Sequence, residues 1–209
     1  MNTLDELALR YGTDKASNGH GYTRIYESYF AHLRDEPIVL VEFGVGGYGD
    51  PCAGGASLRM WNDWFPKGRI IGVDDQPKNL HLGPRVDIYR GDQASKGVIN
   101  FIARHGPFDI VIDDASHVNS LTISTFENVW PHIKPGGFYV CEDTCESYKP
   151  KARQDPDSPL GLPTMMQFFR RLADEVNYEP HVYPAEYRCG YDLQFVHFWR
   201  WLAILRKQP

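Results

Sequence analysis

The chain has 209 residues, 42% of them hydrophobic and 23% charged, the proportions of a soluble globular domain with room for a substantial core. A net charge of −5 without a basic stripe excludes an electrostatic grip on nucleic acid, and no apolar run approaches the ~20 residues that cross a bilayer. The start, Met1 to Glu6, lacks the apolar segment of a signal peptide, and Cys52, Cys141, Cys145 and Cys189 show no Cys-x-x-Cys spacing, so reduced thiols in the cytoplasm are the expectation.

Thr3 to Arg10 reads as a short helix capped by Thr3, followed by a glycine-punctuated loop through Tyr22. Tyr22, Ile25, Tyr26, Tyr29, Phe30 and Leu33 follow the i, i+3, i+4, i+7 spacing of an amphipathic helix, so residues 1–36 form an N-terminal helical cap. An apolar strand, Ile38 to Phe43, runs into the glycine-rich turn Gly44-Val-Gly46-Gly47-Tyr48-Gly49. Ser57 is the expected N-cap of a helix Leu58 to Phe65. Strands follow at Arg69–Val73 and Val86–Tyr89, ending in Asp74-Asp75 and in Gly91-Asp92-Gln93. Between them Asp75–Arg85 leaves little room for a helix. A helix marked by Val98, Phe101 and Ile102 precedes a fourth strand, Phe108–Ile112, which ends in Asp113-Asp114-Ala-Ser-His117. A helix at Ser120–Trp130 leads through the turn Pro135-Gly136-Gly137 to a fifth strand, Phe138–Cys141, ending in Glu142-Asp143. Lys149 to Pro163 holds four prolines and five charges and reads as a mobile loop. Thr164 then caps a helix with Met165, Phe168, Phe169, Leu172 and Val176 on its core face. Leu193 to Lys207 reads as a β-hairpin turning near Arg200-Trp201. The alternation of strand and helix predicts one α/β domain over 1–209, a Rossmann-like, mostly parallel sheet of seven strands with an antiparallel C-terminal hairpin and helices on both faces.

The glycine turn matches G-x-G-x-x-G, which alone is weak evidence for a dinucleotide. A loop with Pro51 separates the last glycine from the next helix, so no helix N-terminus is poised against a pyrophosphate there. Glu42, two residues before the first glycine, would repel a diphosphate but suits a ligand ammonium. Asp74 can accept from ribose hydroxyls and Asp92-Gln93 can read an adenine edge. An amino acid, a ribose and an adenine together describe S-adenosylmethionine.

Six stretches carry a resemblance: Tyr11-Gly-Thr-Asp-Lys15, Val41-Glu-Phe-Gly-Val-Gly-Gly-Tyr48, Ser57-Leu-Arg-Met-Trp61, Gly91-Asp-Gln93, Asp109-Ile-Val-Ile-Asp-Asp-Ala-Ser-His117 and Pro135-Gly-Gly-Phe-Tyr-Val-Cys-Glu-Asp143. With these the chain resembles the class I S-adenosylmethionine-dependent methyltransferases, and within them the metal-dependent sugar O-methyltransferases of the mycinamicin and tylosin pathways. In size and motif order it is also similar to the small mycobacterial enzymes that methylate the 1-hydroxyl of a methylmannose oligosaccharide. The resemblance implies cofactor contacts from Thr13, Lys15, Glu42, Gly44, Gly46, Gly47, Tyr48, Ser57, Asp74, Asp92, Gln93 and Asp113. It covers roughly the first two-thirds of the chain and weakens after Tyr148. Ala115 stands where the family often has glycine.

Methyl transfer to a sugar hydroxyl is limited by the nucleophile, which a Lewis-acid metal and a positioned base both activate. Asp114, Glu142 and Asp143 close adjacent strands, an all-oxygen set that suits Mg²⁺. His117, an imidazole and so of the residue type most used as a general base, is placed to act as base on an acceptor hydroxyl held at that metal. A catechol-type or other small-molecule O-methyltransferase shares cofactor and carboxylates but characteristically uses a lysine base. An NAD-dependent oxidoreductase would leave the acidic cluster idle, and a non-catalytic S-adenosylmethionine-binding protein would have no use for it. An iron oxygenase is disfavoured because no 2-His-1-carboxylate set is legible. Tyr148, Tyr183, Tyr187 and Tyr191 are candidates to line a sugar cleft, and the tryptophans near the hairpin suit the interface of a homo-oligomer, a dimer first.

Overall fold

The computed structural model describes residues 2–149, 163–179, 182, 184 and 188–209. Most of the loop expected at 149–163, together with Tyr183 and Tyr187, lies outside the described residues. The chain divides into two compact units, Met1–Asp92 and Gln93–Pro209.

In the first unit, helix α1 (Leu4–Tyr11) starts on a capping box in which Thr3 Oγ1 accepts the Glu6 N–H and the Glu6 carboxylate accepts the Thr3 N–H. It stops at Gly12, whose φ of 71° suits a residue without a Cβ. Helix α2 (Thr23–Phe30) runs into a short 3₁₀ turn, Ala31–Leu33. Its buried Tyr26 and Phe30 stack at 5.6 Å, and both meet the edge of Trp61 from α3 (Ala56–Trp64). Strands β1 (Val39–Phe43), β2 (Arg69–Asp74) and β3 (Val86–Arg90) pair in parallel in the order β3-β2-β1, with Val41 opposite Ile71 and Ile71 opposite Asp87. β1 and β2 are apolar and buried, as continuous apolar runs in parallel sheets are. No helix joins β2 to β3. That connection ends at Arg85, whose guanidinium donates to the carbonyls of Asn62, Phe65 and Gly68 and so ties it to the C-terminal end of α3. One expectation is corrected here: Ser57 does not cap α3. Gly55, at φ 71°, turns the chain into the helix two residues earlier, and Ser57 sits inside the first turn, buried.

In the second unit, Ser95 Oγ accepts the Val98 N–H and caps α4 (Lys96–Ile102). Strand β4 (Phe108–Asp113) is fully buried and parallel to β5 (Ile133–Cys141), with Asp113 opposite Cys141. β5 is longer than expected. Pro135-Gly136-Gly137 lies within it rather than before it, at an irregularity where the β4–β5 register shifts, a place that tolerates proline's missing N–H. Helix α5 (Asn119–Val129) supplies Phe126, around which Trp130, Tyr139, Phe168, Phe169 and Tyr191 gather at 5.0–5.9 Å. Phe168 and Phe169 come from α6 (Met165–Val176), capped by a Thr164–Gln167 box as its sequence suggests. The hairpin β6 (Leu193–Trp199) and β7 (Leu202–Lys207) turns at Arg200-Trp201, and β7 lies antiparallel to β5. Along the chain the strand order is β3-β2-β1-β4-β5-β7-β6, with parallel pairs through β5 and an antiparallel C-terminal hairpin, the expected seven-stranded architecture. Among the described residues no helix is long and apolar enough to cross a membrane.

Candidate active site

The glycine turn sits at the carboxyl end of β1, where parallel sheets receive their ligands. Gly44, Gly46 and Gly47 all have positive φ, at 94°, 73° and 75°. At Gly47 a Cβ would lie 2.2 Å from the Ala53 carbonyl oxygen, so the turn closes there on backbone, whereas at Gly46 the space is open. Asp74, at the end of β2, receives the Val45 N–H on one oxygen and the Gln76 N–H on the other, both at 2.9 Å. Each carboxylate oxygen retains a lone pair for a further donor. The connection after β2 reaches the turn: Lys78 Nζ donates to the Tyr48 carbonyl at 2.7 Å and the Asn79 N–H to that of Pro51. Tyr48 is exposed, with φ 45°. Thr13 and Ser57 are buried, and Asp92 is exposed.

Glu42 is fully buried, and its environment differs from a carboxylate awaiting an ammonium. Its Oε1 lies 3.4 Å from Lys15 Nζ, itself 1% exposed, and its Oε2 accepts the Trp61 indole N–H at 2.8 Å. The Tyr11-Gly-Thr-Asp-Lys15 stretch therefore delivers a cation to the end of β1, within its own unit.

In the second unit, Asp114, His117 and Asp143 bring one ligand atom each within 4.8 Å of one another, the one such trio of acidic, histidine or cysteine side chains among the described residues. His117 Nε2 is 3.9 Å from Asp114 Oδ1 and 3.8 Å from Asp143 Oδ2. The Glu142 N–H donates to the Asp113 carbonyl, which keeps the two strand ends together. His117 and Asp143 both hold left-handed backbone, at φ 56° and 51°. Such conformations are strained for side-chain-bearing residues and gather at functional sites. Asp143 thereby leaves the extended path, so the alternation that separates neighbouring side chains on a strand ends there. Glu142, expected beside Asp114 and Asp143, is buried and is not one of the trio.

The donor set fits a divalent cation. The Asp114 and Asp143 carboxylates bring oxygens within 4.8 Å of each other, about the span of two Mg²⁺–oxygen bonds, while His117 Nε2 stands 3.8–3.9 Å from each, too far for a hydrogen bond. Carboxylates suit Mg²⁺, whereas imidazole is a poor ligand for so hard an ion, which leaves His117 available for proton transfer.

Beneath this trio lies a buried network that sequence reasoning missed. Tyr139 donates its hydroxyl to Asp113 Oδ2 at 2.9 Å, and Gln93 Nε2 donates to Asp113 Oδ1 and to Thr125 Oγ1, both at 3.0 Å. Burial pushes the Asp113 carboxyl up to about 6, against the lowering effects of the Tyr139 hydroxyl, His117 and the Ala115 N–H. Burial also lifts the Cys141 thiol well above its ordinary range, with Asp113 and Glu142 adding to it, so Cys141 stays a neutral thiol. Gln93 was expected to read an adenine edge, but its amide is engaged in this network. Only the tyrosine at position 139, offset by two from Cys141 on the strand facing Asp113, could have signalled the arrangement.

The sequence is 39% identical over 98% of its length to the 8-demethyl-8-(2-methoxy-alpha-L-rhamnosyl)-tetracenomycin-C 3'-O-methyltransferase of Streptomyces olivaceus, of which it covers 53%. To the demethylmacrocin O-methyltransferase of Streptomyces fradiae it is 36% identical, again over 98% of this chain and 53% of the relative. The fold superposes on the MycE methyltransferase of the mycinamycin biosynthetic pathway, solved in complex with Mg, SAH and mycinamycin VI, with a TM-score of 0.85 and 34% identity over 99% of this chain and 55% of that one. This chain is a homologue of O-methyltransferases. Its fold is the class I methyltransferase fold, as the order of motifs implied. It spans about half the length of these methyltransferase relatives. No family model matches the sequence.

Proposed function

We propose that this protein is an S-adenosylmethionine-dependent, Mg²⁺-dependent O-methyltransferase acting on a hydroxyl of a sugar, either on a glycosylated small molecule or on an oligosaccharide such as a methylmannose chain. The observation that carries the reading is the trio Asp114, His117 and Asp143 in a chain whose relatives methylate sugar hydroxyls. The glycine turn and Asp74 are assigned to the cofactor, with Gly46 giving open access to backbone and Asp74 accepting from ribose hydroxyls. Lys15 and Glu42 support this turn from below as a buried pair. Asp114 and Asp143 are assigned to the cation. When bound, Mg²⁺ supplies Lewis acidity that lowers the pKa of a hydroxyl. His117 Nε2 takes the proton of the acceptor hydroxyl as the oxygen attacks the cofactor's methyl carbon. The carbon–sulfur bond breaks, and the products are the methyl ether, S-adenosylhomocysteine and a proton carried away on His117.

The test is methyl transfer from S-adenosylmethionine over a panel of rhamnosides, partly methylated mannosides and catechols, with Mg²⁺ or with chelator. Transfer to a sugar that stops on chelation and returns with Mg²⁺ is expected. Transfer to catechol alone, or undiminished transfer in chelator, overturns the reading. His117→Ala is expected to lose 10²–10⁴-fold in turnover while its affinities for S-adenosylhomocysteine and Mg²⁺ stay within twofold. Full turnover in that variant would remove His117 as base.

A further inference from the structure

We infer that Gln93 is a positioning residue that fixes the loop bearing Asp114 and His117, and so sets the cation affinity of the cluster. This rests on the proposed metal role of Asp114 and Asp143. Gln93 is 6% exposed. Its Oε1 accepts the Ser116 N–H at 3.0 Å, and Ser116 lies between Asp114 and His117. Its Nε2 spends both hydrogens inward, on Asp113 Oδ1 and Thr125 Oγ1. The Thr125 hydroxyl hydrogen is committed to the Leu121 carbonyl at 2.8 Å, so toward Gln93 that oxygen only accepts. The orientation of the amide is therefore determined: turned over, it would set its NH₂ against the Ser116 N–H and its oxygen against two acceptors.

These contacts explain how a short loop keeps a strained residue in place. The Ala115 N–H is held by the Asp113 carboxylate, the Ser116 N–H by Gln93 and the Val118 N–H by Ser116 Oγ. Three amides around His117 are thus fixed, and of their three acceptors Gln93 is the one that comes from a separate segment. That segment is itself anchored, because Asn128 Nδ2 donates to the Ala94 carbonyl at 2.9 Å. Without Gln93 the Ser116 amide loses its acceptor and His117 has less reason to remain at φ 56°. The cation would then have to order the loop, and an ordering cost lowers apparent affinity.

The experiment compares the parent chain with Gln93→Met, which keeps the volume and removes the hydrogen bonds, and with Asn128→Ala, which loosens the same segment without touching the loop. Mg²⁺ is titrated calorimetrically into each protein, and the melting temperature is recorded alongside. Q93M is expected to bind Mg²⁺ at least tenfold more weakly, with methyl transfer partly restored by excess Mg²⁺. N128A is expected to lose melting temperature and keep Mg²⁺ affinity within twofold. Q93M with parental affinity overturns the inference and leaves the metal reading standing, as does N128A matching Q93M in lost affinity. A parent protein that binds no Mg²⁺ overturns both. If Q93M does not fold, Thr125→Val is titrated in its place. An expected two- to fivefold weakening there supports the inference, and unchanged affinity overturns it.

Discussion

Replacing Lys15 by methionine keeps most of the side chain's volume and removes its charge. Lys15 and Glu42 are 1% and 0% exposed and 3.4 Å apart, and the second Glu42 oxygen accepts from Trp61. Removing one member of a buried pair costs about 3–5 kcal/mol, because the remaining charge stays in a medium that does not solvate it. Here the Trp61 hydrogen bond still serves the carboxylate, which places the expectation for K15M near the lower bound, about 3 kcal/mol. In a chain of this size that is a fall of roughly 6–12 °C in melting temperature. Glu42→Gln should cost about as much by removing the negative charge beside the buried Lys15 ammonium. The double variant K15M/E42Q has no buried charge, and its amide oxygen can still accept from Trp61. It should lose only about 1–2 kcal/mol, less than either single change. The assay is urea denaturation of all four proteins at pH 7 and fixed salt, followed by tryptophan fluorescence, since Trp61 reports from the pair itself. A K15M loss below about 1 kcal/mol, or a double variant equal to the sum of the singles, would refute the reasoning.

Gly47→Ala should cost more than about 2 kcal/mol and weaken S-adenosylhomocysteine binding, because it adds a clash at 2.2 Å with the Ala53 carbonyl to the strain of φ 75°. Gly46→Ala, with open space around it, should cost only the strain, about 1 kcal/mol, and thermal melts of the two compare them directly. Asp143→Asn should raise the Mg²⁺ concentration needed for half-maximal methyl transfer at least tenfold, read by titrating the metal in the assay; an unchanged requirement would remove Asp143 from the cation site. For Asp5, burial would raise the carboxyl pKa, but donors from the Ser17 and Thr23 side chains and the Ser17 N–H outweigh it and hold the pKa below its ordinary 3.8. A depressed folded pKa gives stability that is complete above the unfolded value and disappears as pH falls through the folded one. Asp5→Asn should therefore destabilise at pH 7, with the difference from the parent shrinking below about pH 4 in paired urea melts.

Much of this architecture is legible in the sequence because its signals are local. Thr3 and Glu6, and Thr164 and Gln167, announce helix starts by spacing alone, and the apolar runs of β1, β2 and β4 announce buried strands. Failures occur where a distant partner decides. Ser57 carries the chemistry of a cap, but the left-handed Gly55 starts the helix earlier. Glu42 and Lys15, 27 positions apart, become one buried pair that no periodicity encodes. Asp114, Glu142 and Asp143 are visible as three acids at strand ends. Which two approach His117 depends on the left-handed turn at Asp143, a conformation its residue type does not demand. Gln93 illustrates the same limit from the other side. Its position at a strand end suggested a ligand, while its partners Asp113, Ser116 and Thr125 come from two later elements.

The order of strands in the second unit also bears on how the protein is made. β7 lies against β5 through Phe138–Cys141 and Ala203–Arg206, although about sixty residues separate them in the chain. The Thr144 N–H, next to Asp143, donates to the carbonyl of Trp201 at the hairpin turn. During synthesis on the ribosome, one edge of β5 therefore stays open until Leu202–Lys207 has emerged, and Asp143 acquires its neighbouring anchor only then. A nascent chain halted before Leu202 would carry an apolar strand with an unpaired backbone, the kind of edge that recruits other chains. Truncated chains released at residue 201 should accordingly aggregate and bind chaperones more than chains released after Lys207.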